Sequence, residues 1–156
     1  MKKALFILTL VFTAVSTGSM AQSHTEEVDL VQSVFGMEKK AFVAEFIQAE
    51  GEQAEAFWTL YDEYETKRKE LGKRRIALLN KYADSYDSLD DLKTDEILSE
   101  MMSLQAATDK LITTYSKKIK KDVNVKTAAQ FYHIEGYIVS KIRTTILENI
   151  PMLGDM

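Results

Sequence analysis

The sequence predicts an all-α protein of three to four helices, and three observations lead to this fold class. The chain has 156 residues, 46% of them hydrophobic and 28% charged, which is typical of a folded domain and excludes a disordered chain. Its single proline, Pro151, leaves the interior without the strongest helix breaker. Apolar residues recur at steps of three and four through long stretches, and no segment reads as a strand.

The first 21 residues have the features of a secretory signal peptide. Lys2 and Lys3 give a positive start, residues 4–15 are largely apolar, and small residues follow up to Ala21. The alternative is a retained membrane anchor, but the apolar run is shorter than the roughly 20 residues that a spanning helix needs. We therefore expect cleavage after Ala21 and a periplasmic product, residues 22–156, that forms one all-helical domain with short flexible ends.

Charge and cysteine content bear on partners and stability. The chain has 20 Lys and Arg against 24 Asp and Glu, a formal charge of −4, and loss of Lys2 and Lys3 makes it −6. This mild acidity argues against nucleic-acid binding. No later segment is apolar enough to predict a membrane span after signal removal. The chain has no cysteine, so in an oxidising compartment packing alone must stabilise the fold.

The first half of the mature chain predicts two helical segments. Residues 25–48 have helical apolar spacing, with Gly36 as a candidate break. Nothing interrupts a helix from Glu52 to about Tyr86, which at 1.5 Å per residue would span roughly 50 Å. Its predicted buried stripe alternates steps of four and three, as in a coiled coil: Phe57, Tyr61, Tyr64, Arg68, Leu71, Arg75, Leu78 and Tyr82.

The second half predicts two more long helices after a polar connection. Thr94 is the predicted cap of the next helix, and a final helix should run from about Lys126 to Asn149, since Pro151 stops it. The predicted stripe of the first of these is Ile97, Met101, Leu104, Thr108, Leu111, Tyr115 and Ile119; that of the second is Phe131, Ile134, Ile138, Ile142 and Thr145. Helices this long predict an antiparallel helical hairpin in an elongated or cradle-like molecule, which we expect to be a dimer.

A basic segment, residues 67–75, holds six cations and one acid. On a helix these cations surround the axis, and we expect solvent exposure for Lys67, Lys69, Lys73 and Arg74. Arg68 and Arg75 fall in the apolar stripe, where an arginine must pair or extend to solvent, and Glu135 is the predicted partner. The alternative is that the arginines line a concave, basic surface for acidic unfolded segments.

Aromatic and methionine residues give the other candidate contacts. Phe57, Tyr61 and Tyr64 are predicted to be core, while one side of Trp58 could contact a client in a thin helical layer. Met101 fits the buried stripe, and Met102 is the predicted adaptable surface contact.

Two segments relate to the LTxxQ motif. Residues 49–53 keep only Gln53, and residues 126–130 keep Thr127 and Gln130 with lysine in place of leucine. The tract 54–83 begins with an FWxxYxxY pattern followed by the basic segment. In these features the chain resembles the Spy/CpxP family of periplasmic helical proteins. Independently of that resemblance, Thr127 and Gln130 form a capping-box pattern, which predicts a structural role.

The resemblance implies an all-helical cradle, often dimeric, that holds unfolding clients without ATP or modulates the envelope stress response. Its partners would be unfolded envelope proteins or a membrane-bound signalling protein. The alternative is a non-chaperone regulatory or metal-sensing domain acting through a membrane partner.

Residues with recognisable site chemistry are few. The only histidines are His24 and His133, and no His-x3-His pair, cysteine or calcium loop accompanies them. The sequence shows no Ser-His-Asp set, nucleophile elbow or phosphate loop. We therefore expect no dedicated metal site, no cofactor and no enzymatic activity.

Overall fold

The computed structural model describes Gly36 and residues 38–151. The chain divides into two compact units, residues 1–42 and 43–156. In the first unit, Gly36 and residues 38–42 are helical. The predicted signal peptide, the spacing of residues 25–35 and His24 lie outside the described residues, and the proposed division at Ala21 stays a prediction.

Three long helices form the described part of the second unit: α1 (Glu52–Ser85), α2 (Asp91–Asp122) and α3 (Val125–Asn149). A 3-10 turn at residues 86–88 joins α1 to α2, and residues 123–124 join α2 to α3. Residues 38–151 contain no strand, and the predicted all-α class is confirmed. The elongated, cradle-like shape and the dimer stay predictions.

Helices α2 and α3 begin about one turn earlier than the predicted caps Thr94 and Thr127. The predicted cap at Thr94 is wrong, because α2 is capped by Asp90, whose Oδ1 accepts from the backbone N–H of Lys93 at 2.8 Å. The Thr94 N–H already donates to the Asp90 carbonyl, so Thr94 lies inside the first turn. Gly51 precedes α1 with a φ of 55°, a conformation that favours glycine.

The predicted capping box of Thr127 and Gln130 is also wrong. Asn124 caps α3, since its Oδ1 accepts from the Thr127 N–H at 2.8 Å, and Thr127 is a buried first-turn residue. The Gln130 amide instead donates to the Phe46 carbonyl at 2.8 Å. The Asn124 Nδ2 also donates to Gln53 Oε1 at 2.8 Å, which joins the starts of α1 and α3.

Side-chain pairs give the direction of the helices. Contacts between α1 and α2 join residues whose numbers rise on one helix and fall on the other, as in antiparallel packing: Lys81–Glu96, Arg74–Glu100 and Glu63–Lys118. Contacts between α1 and α3 keep a nearly constant offset, as in parallel packing: Gln53–Asn124, Tyr64–Glu135 and Tyr82–Pro151. The backbones of α1 and α3 approach each other less closely than either approaches α2.

The core has an aromatic part and an aliphatic part. Aromatic rings from all three helices meet with centroids 5.1–6.4 Å apart in the set Phe57, Tyr61, Tyr64, Tyr115 and Phe131. Leu78, Tyr82, Ile97 and Leu104 form the second part, towards the 3-10 turn. On α2, two predicted stripe positions differ: Ile112 is buried in place of the half-buried Leu111, and Met101 is exposed. Six predicted stripe residues on the other two helices are only half-buried: Arg68, Leu71, Arg75, Ile138, Ile142 and Thr145.

The Asn124 cap should be worth about 1 kcal/mol of stability. We expect Asn124→Ala to lower the free energy of unfolding in urea by that amount, since a first-turn N–H loses its acceptor. Asn124→Ser keeps a capping oxygen but loses the bond to Gln53, and should cost less. Asn149→Ala, at the exposed end of α3, is the matched control, and an equal loss there would contradict the capping role.

Candidate functional site

A buried polar contact lies inside the aromatic core. The Tyr64 hydroxyl on α1 donates to Glu135 Oε2 on α3 at 2.6 Å, and both residues are buried. One helical step away, Arg68 Nε donates to both carboxylate oxygens of Glu65 at 2.9 Å, with 15% and 10% of the two side chains exposed. Burying a carboxyl group without hydrogen-bond donors is costly. Tyr64 supplies a donor to Glu135, and Arg68 supplies one to Glu65.

Burial changes the acidity of two tyrosines in this core. Desolvation raises the pKa of Tyr61, and the nearby carboxyl groups of Glu65 and Glu135 raise it further. Desolvation likewise raises the pKa of Tyr64, and its contact with Glu135 adds to the effect. Arg68 acts in the opposite direction on both hydroxyls, which places its guanidinium near them.

The predicted ion pair between Glu135 and an arginine has a different outcome for Arg75 than for Arg68. For Arg75 it is wrong, because no carboxylate among residues 38–151 pairs with this guanidinium. For Arg68 it stays a prediction, beside the observed pair with Glu65.

Arg75 instead faces other arginines. Arg75 is half-buried, and desolvation lowers the pKa of its guanidinium. The positive charges of Arg143 on α3 and of Arg68 lower this pKa further. Arg143 donates to Gln105 on α2. Arg143 was not among the predicted site residues, although its position beside Ile142 at the edge of the apolar stripe was an available signal.

The remaining cations of the basic segment surround α1 and make local contacts. Arg74 binds Glu100 on α2 at 2.8 Å, and Lys73 lies 3.9 Å from Glu70. Lys67 lies 5.5 Å from the centre of the Tyr115 ring. The segment therefore forms no single basic face.

The aromatic candidates occupy the core or its edge. Phe57, Tyr61 and Tyr64 are buried. Trp58 is half-buried, with its ring edge-on to Phe57 at 4.9 Å and to Tyr61 at 5.4 Å.

An exposed apolar surface lies where α2 and α3 run side by side. Antiparallel helices joined by the Gln105–Arg143 bond place Met101, one turn back along α2, level with Leu147, one turn forward along α3. We name the α2–α3 patch by its four residues, with their exposed fractions: Leu98 45%, Met101 43%, Met102 60% and Leu147 47%. The predicted burial of Met101 is thus corrected, while Met102 is exposed as the adaptable-contact interpretation requires.

Within Gly36 and 38–151, no group of three or more His, Cys, Asp or Glu side chains is placed to hold a metal ion. His133 is exposed on the outer face of α3, in a shallow groove of about 570 Å³ between Tyr132 and Tyr137. None of the described helices combines the length and apolarity of a membrane span.

Comparisons of the chain with models of protein families, with curated proteins and with solved structures find no match. The resemblance to the Spy/CpxP family therefore stays a prediction.

The Tyr64–Glu135 bond should contribute strongly to stability. We expect Tyr64→Phe to lower the free energy of unfolding by about 1–3 kcal/mol, because a buried carboxyl group loses a donor. Tyr132→Phe removes a hydroxyl from an exposed ring on the same bundle and should change it by less than about 0.5 kcal/mol. Equal effects of the two variants in urea denaturation would contradict the assigned role.

The two tyrosines should also make stability fall at alkaline pH. Their pKa values are raised in the folded state, so stability is fully present below about pH 10, where unfolded tyrosine starts to ionise, and falls above it. We expect the urea midpoint to decline more steeply above about pH 10 in the wild type than in the double variant Tyr61→Phe/Tyr64→Phe. Phe57→Leu, which weakens the same core but keeps both hydroxyls, should retain the wild-type slope; a wild-type slope in the double variant would refute the assignment.

Proposed function

We propose that this protein is a periplasmic binding protein that holds non-native segments of other envelope proteins without ATP, or that damps an envelope stress-response partner by binding it. The observation that carries the proposal is the exposed α2–α3 patch. A contiguous apolar surface on a folded domain is typical of an interaction site, since single exposed apolar residues are common but clusters are not.

The chemistry of the patch fits variable partners. Met101 and Met102 have unbranched, polarisable side chains that adapt to differently shaped apolar surfaces. Methionine-rich surfaces serve promiscuous binders for this reason. A holding activity needs such tolerance, because unfolded segments share apolar character rather than one sequence.

The patch is supported by ordered packing beneath it. On α2, Ile97 and Leu104 are buried in the aliphatic core while Leu98 and Met101 point outward. The buried face therefore holds α2 in place, and the opposite face is available to a partner. Rigid presentation lowers the conformational entropy lost when a partner binds.

The alternative function is a regulatory or metal-sensing domain that acts through one membrane-bound partner. Such a protein would leave aggregation of unrelated proteins unchanged and would copurify with one partner. A rise in melting temperature with zinc or nickel would favour metal sensing.

Suppression of aggregation tests the holding function. We expect the purified chain to reduce light scattering by a chemically reduced, aggregation-prone test protein at near-stoichiometric ratio. Met101→Gln/Met102→Gln should weaken this effect several-fold, because polar side chains replace the apolar contact surface, while the melting temperature stays close to that of the wild type.

The matched control is Val125→Gln. Val125 is 64% exposed at the start of α3, roughly 30 Å along the helix from Leu147. It should leave suppression unchanged. Equal loss in both variants would assign the activity to general surface hydrophobicity, and undiminished activity of the methionine variant would remove the patch from the mechanism.

A further inference from the structure

We propose that Arg75 and Arg143, with Arg68 beside them, form a binding site for an oxyanion, a carboxylate or a phosphate, in the cleft between α1 and α3. The site adjoins the α2–α3 patch, because Arg143 bonds Gln105 one turn from Met101 and Leu147. Its test measures anion binding rather than aggregation suppression, so the two proposals can fail separately.

Helix register places Arg143 between the levels of Arg68 and Arg75, which lie two turns apart, roughly 10 Å along α1. The α1–α3 contacts Tyr64–Glu135 and Tyr82–Pro151 join residues about 70 positions apart in the chain. The same offset places Arg143 level with residue 72, between Arg68 and Arg75. These two arginines are seven residues apart and so share one face of α1.

Long side chains bridge the gap between α1 and α3. The backbones of α1 and α3 lie farther from each other than from α2. Bulky groups bridge the gap above and below the arginines, at Tyr64 and at Tyr82. Arg75 is half-buried between these two bridges, and Arg143 is exposed at the edge.

The described residues compensate the three arginines to different degrees. Arg68 has Glu65 as its partner. Arg143 donates to the neutral amide of Gln105, and no carboxylate among residues 38–151 pairs with Arg75. Glu65 lies ten residues from Arg75 along α1, a rise of roughly 15 Å, which is too far to compensate it.

The energetic consequence is a partly buried cation that has no counter-ion within residues 38–151. Desolvation lowers the pKa of Arg75, and Arg143 and Arg68 lower it further, which shows that its surroundings disfavour the charged form. An anion between the guanidinium groups would favour the charged form of Arg75 and so offset both effects. The planar fork of arginine suits this ligand, because its parallel N–H groups match two oxygens of a carboxylate or phosphate.

The Gln105 side chain positions Arg143 for this role. Its Oε1 accepts from Arg143, and its Nε2 donates to Asp109 Oδ2 at 2.7 Å. The second bond fixes the amide orientation, so the acceptor oxygen faces the arginine. Arg143 is thus anchored through some of its N–H groups, and others remain for a ligand.

Melting temperatures of the purified protein test the site. Increasing sodium phosphate, compared with sodium chloride at the same ionic strength, should raise the melting temperature of the wild type. Arg75→Gln should abolish this rise, and in chloride alone it should melt at or above the wild-type temperature, because an uncompensated charge is removed. Arg74→Gln, one residue away but paired with Glu100 on the surface, is the matched control and should keep the phosphate response.

Two further measurements complete the test. Arg143→Gln should reduce the phosphate response as Arg75→Gln does, and it serves if the latter variant does not fold. Binding of a fluorescent glutamate-rich peptide, measured by anisotropy, identifies the source of the oxyanion. A response to phosphate alone indicates a free anion, and a response to the peptide, lost in Arg75→Gln, indicates an acidic polypeptide.

The site is refuted if neither probe binds, or if phosphate raises the melting temperature of the wild type and Arg75→Gln equally. It is also refuted if Arg75→Gln melts well below the wild type in chloride, because Arg75 would then have a counter-ion within the protein itself.

Discussion

The fold of the helical unit depends on burying one carboxyl group among aromatic rings. Glu135 is fully buried, and the Tyr64 hydroxyl bonds it from the parallel helix. Such a pair contributes less to stability than an apolar contact of equal size, but losing one partner is costly. A shift of α3 along α1 by one turn would separate the two groups. The hydrogen bond therefore fixes the register of two helices whose backbones do not pack closely.

That register determines what the rest of the unit can do. It aligns Asn124 with Gln53 at one end and Pro151 with Tyr82 at the other. It also brings Arg143 between the levels of Arg68 and Arg75, where the positive charge of Arg143 acts on Arg75. Because α2 packs closely against both neighbours, the polar gap is confined to one side of the bundle.

The sequence predicted long helices correctly because apolar spacing and the lack of internal proline are local properties. It failed at the caps, since several residues near each helix start could accept the first N–H groups, and Asp90 and Asn124 do so before Thr94 and Thr127. Met101 fits the apolar period of α2 yet is exposed. The period predicts that one face of the helix is buried, but it does not give the limits of that face between two neighbouring helices. The arginine cluster joins different helices, so the position of Arg143 beside the α3 stripe could indicate a candidate residue but not its proximity to Arg75.

Both candidate binding surfaces follow from the asymmetry around α2. Close packing on two sides buries Ile97 and Leu104 and turns Leu98 and Met101 outward. The wider side, between α1 and α3, is bridged by the side chains of Tyr64 and Tyr82. Arg75 lies between these two bridges and is only half-buried. Unequal spacing therefore leaves the outer face of α2 available for apolar contacts, and it leaves Arg75 without a carboxylate partner within residues 38–151, which is the condition that the proposed anion site requires.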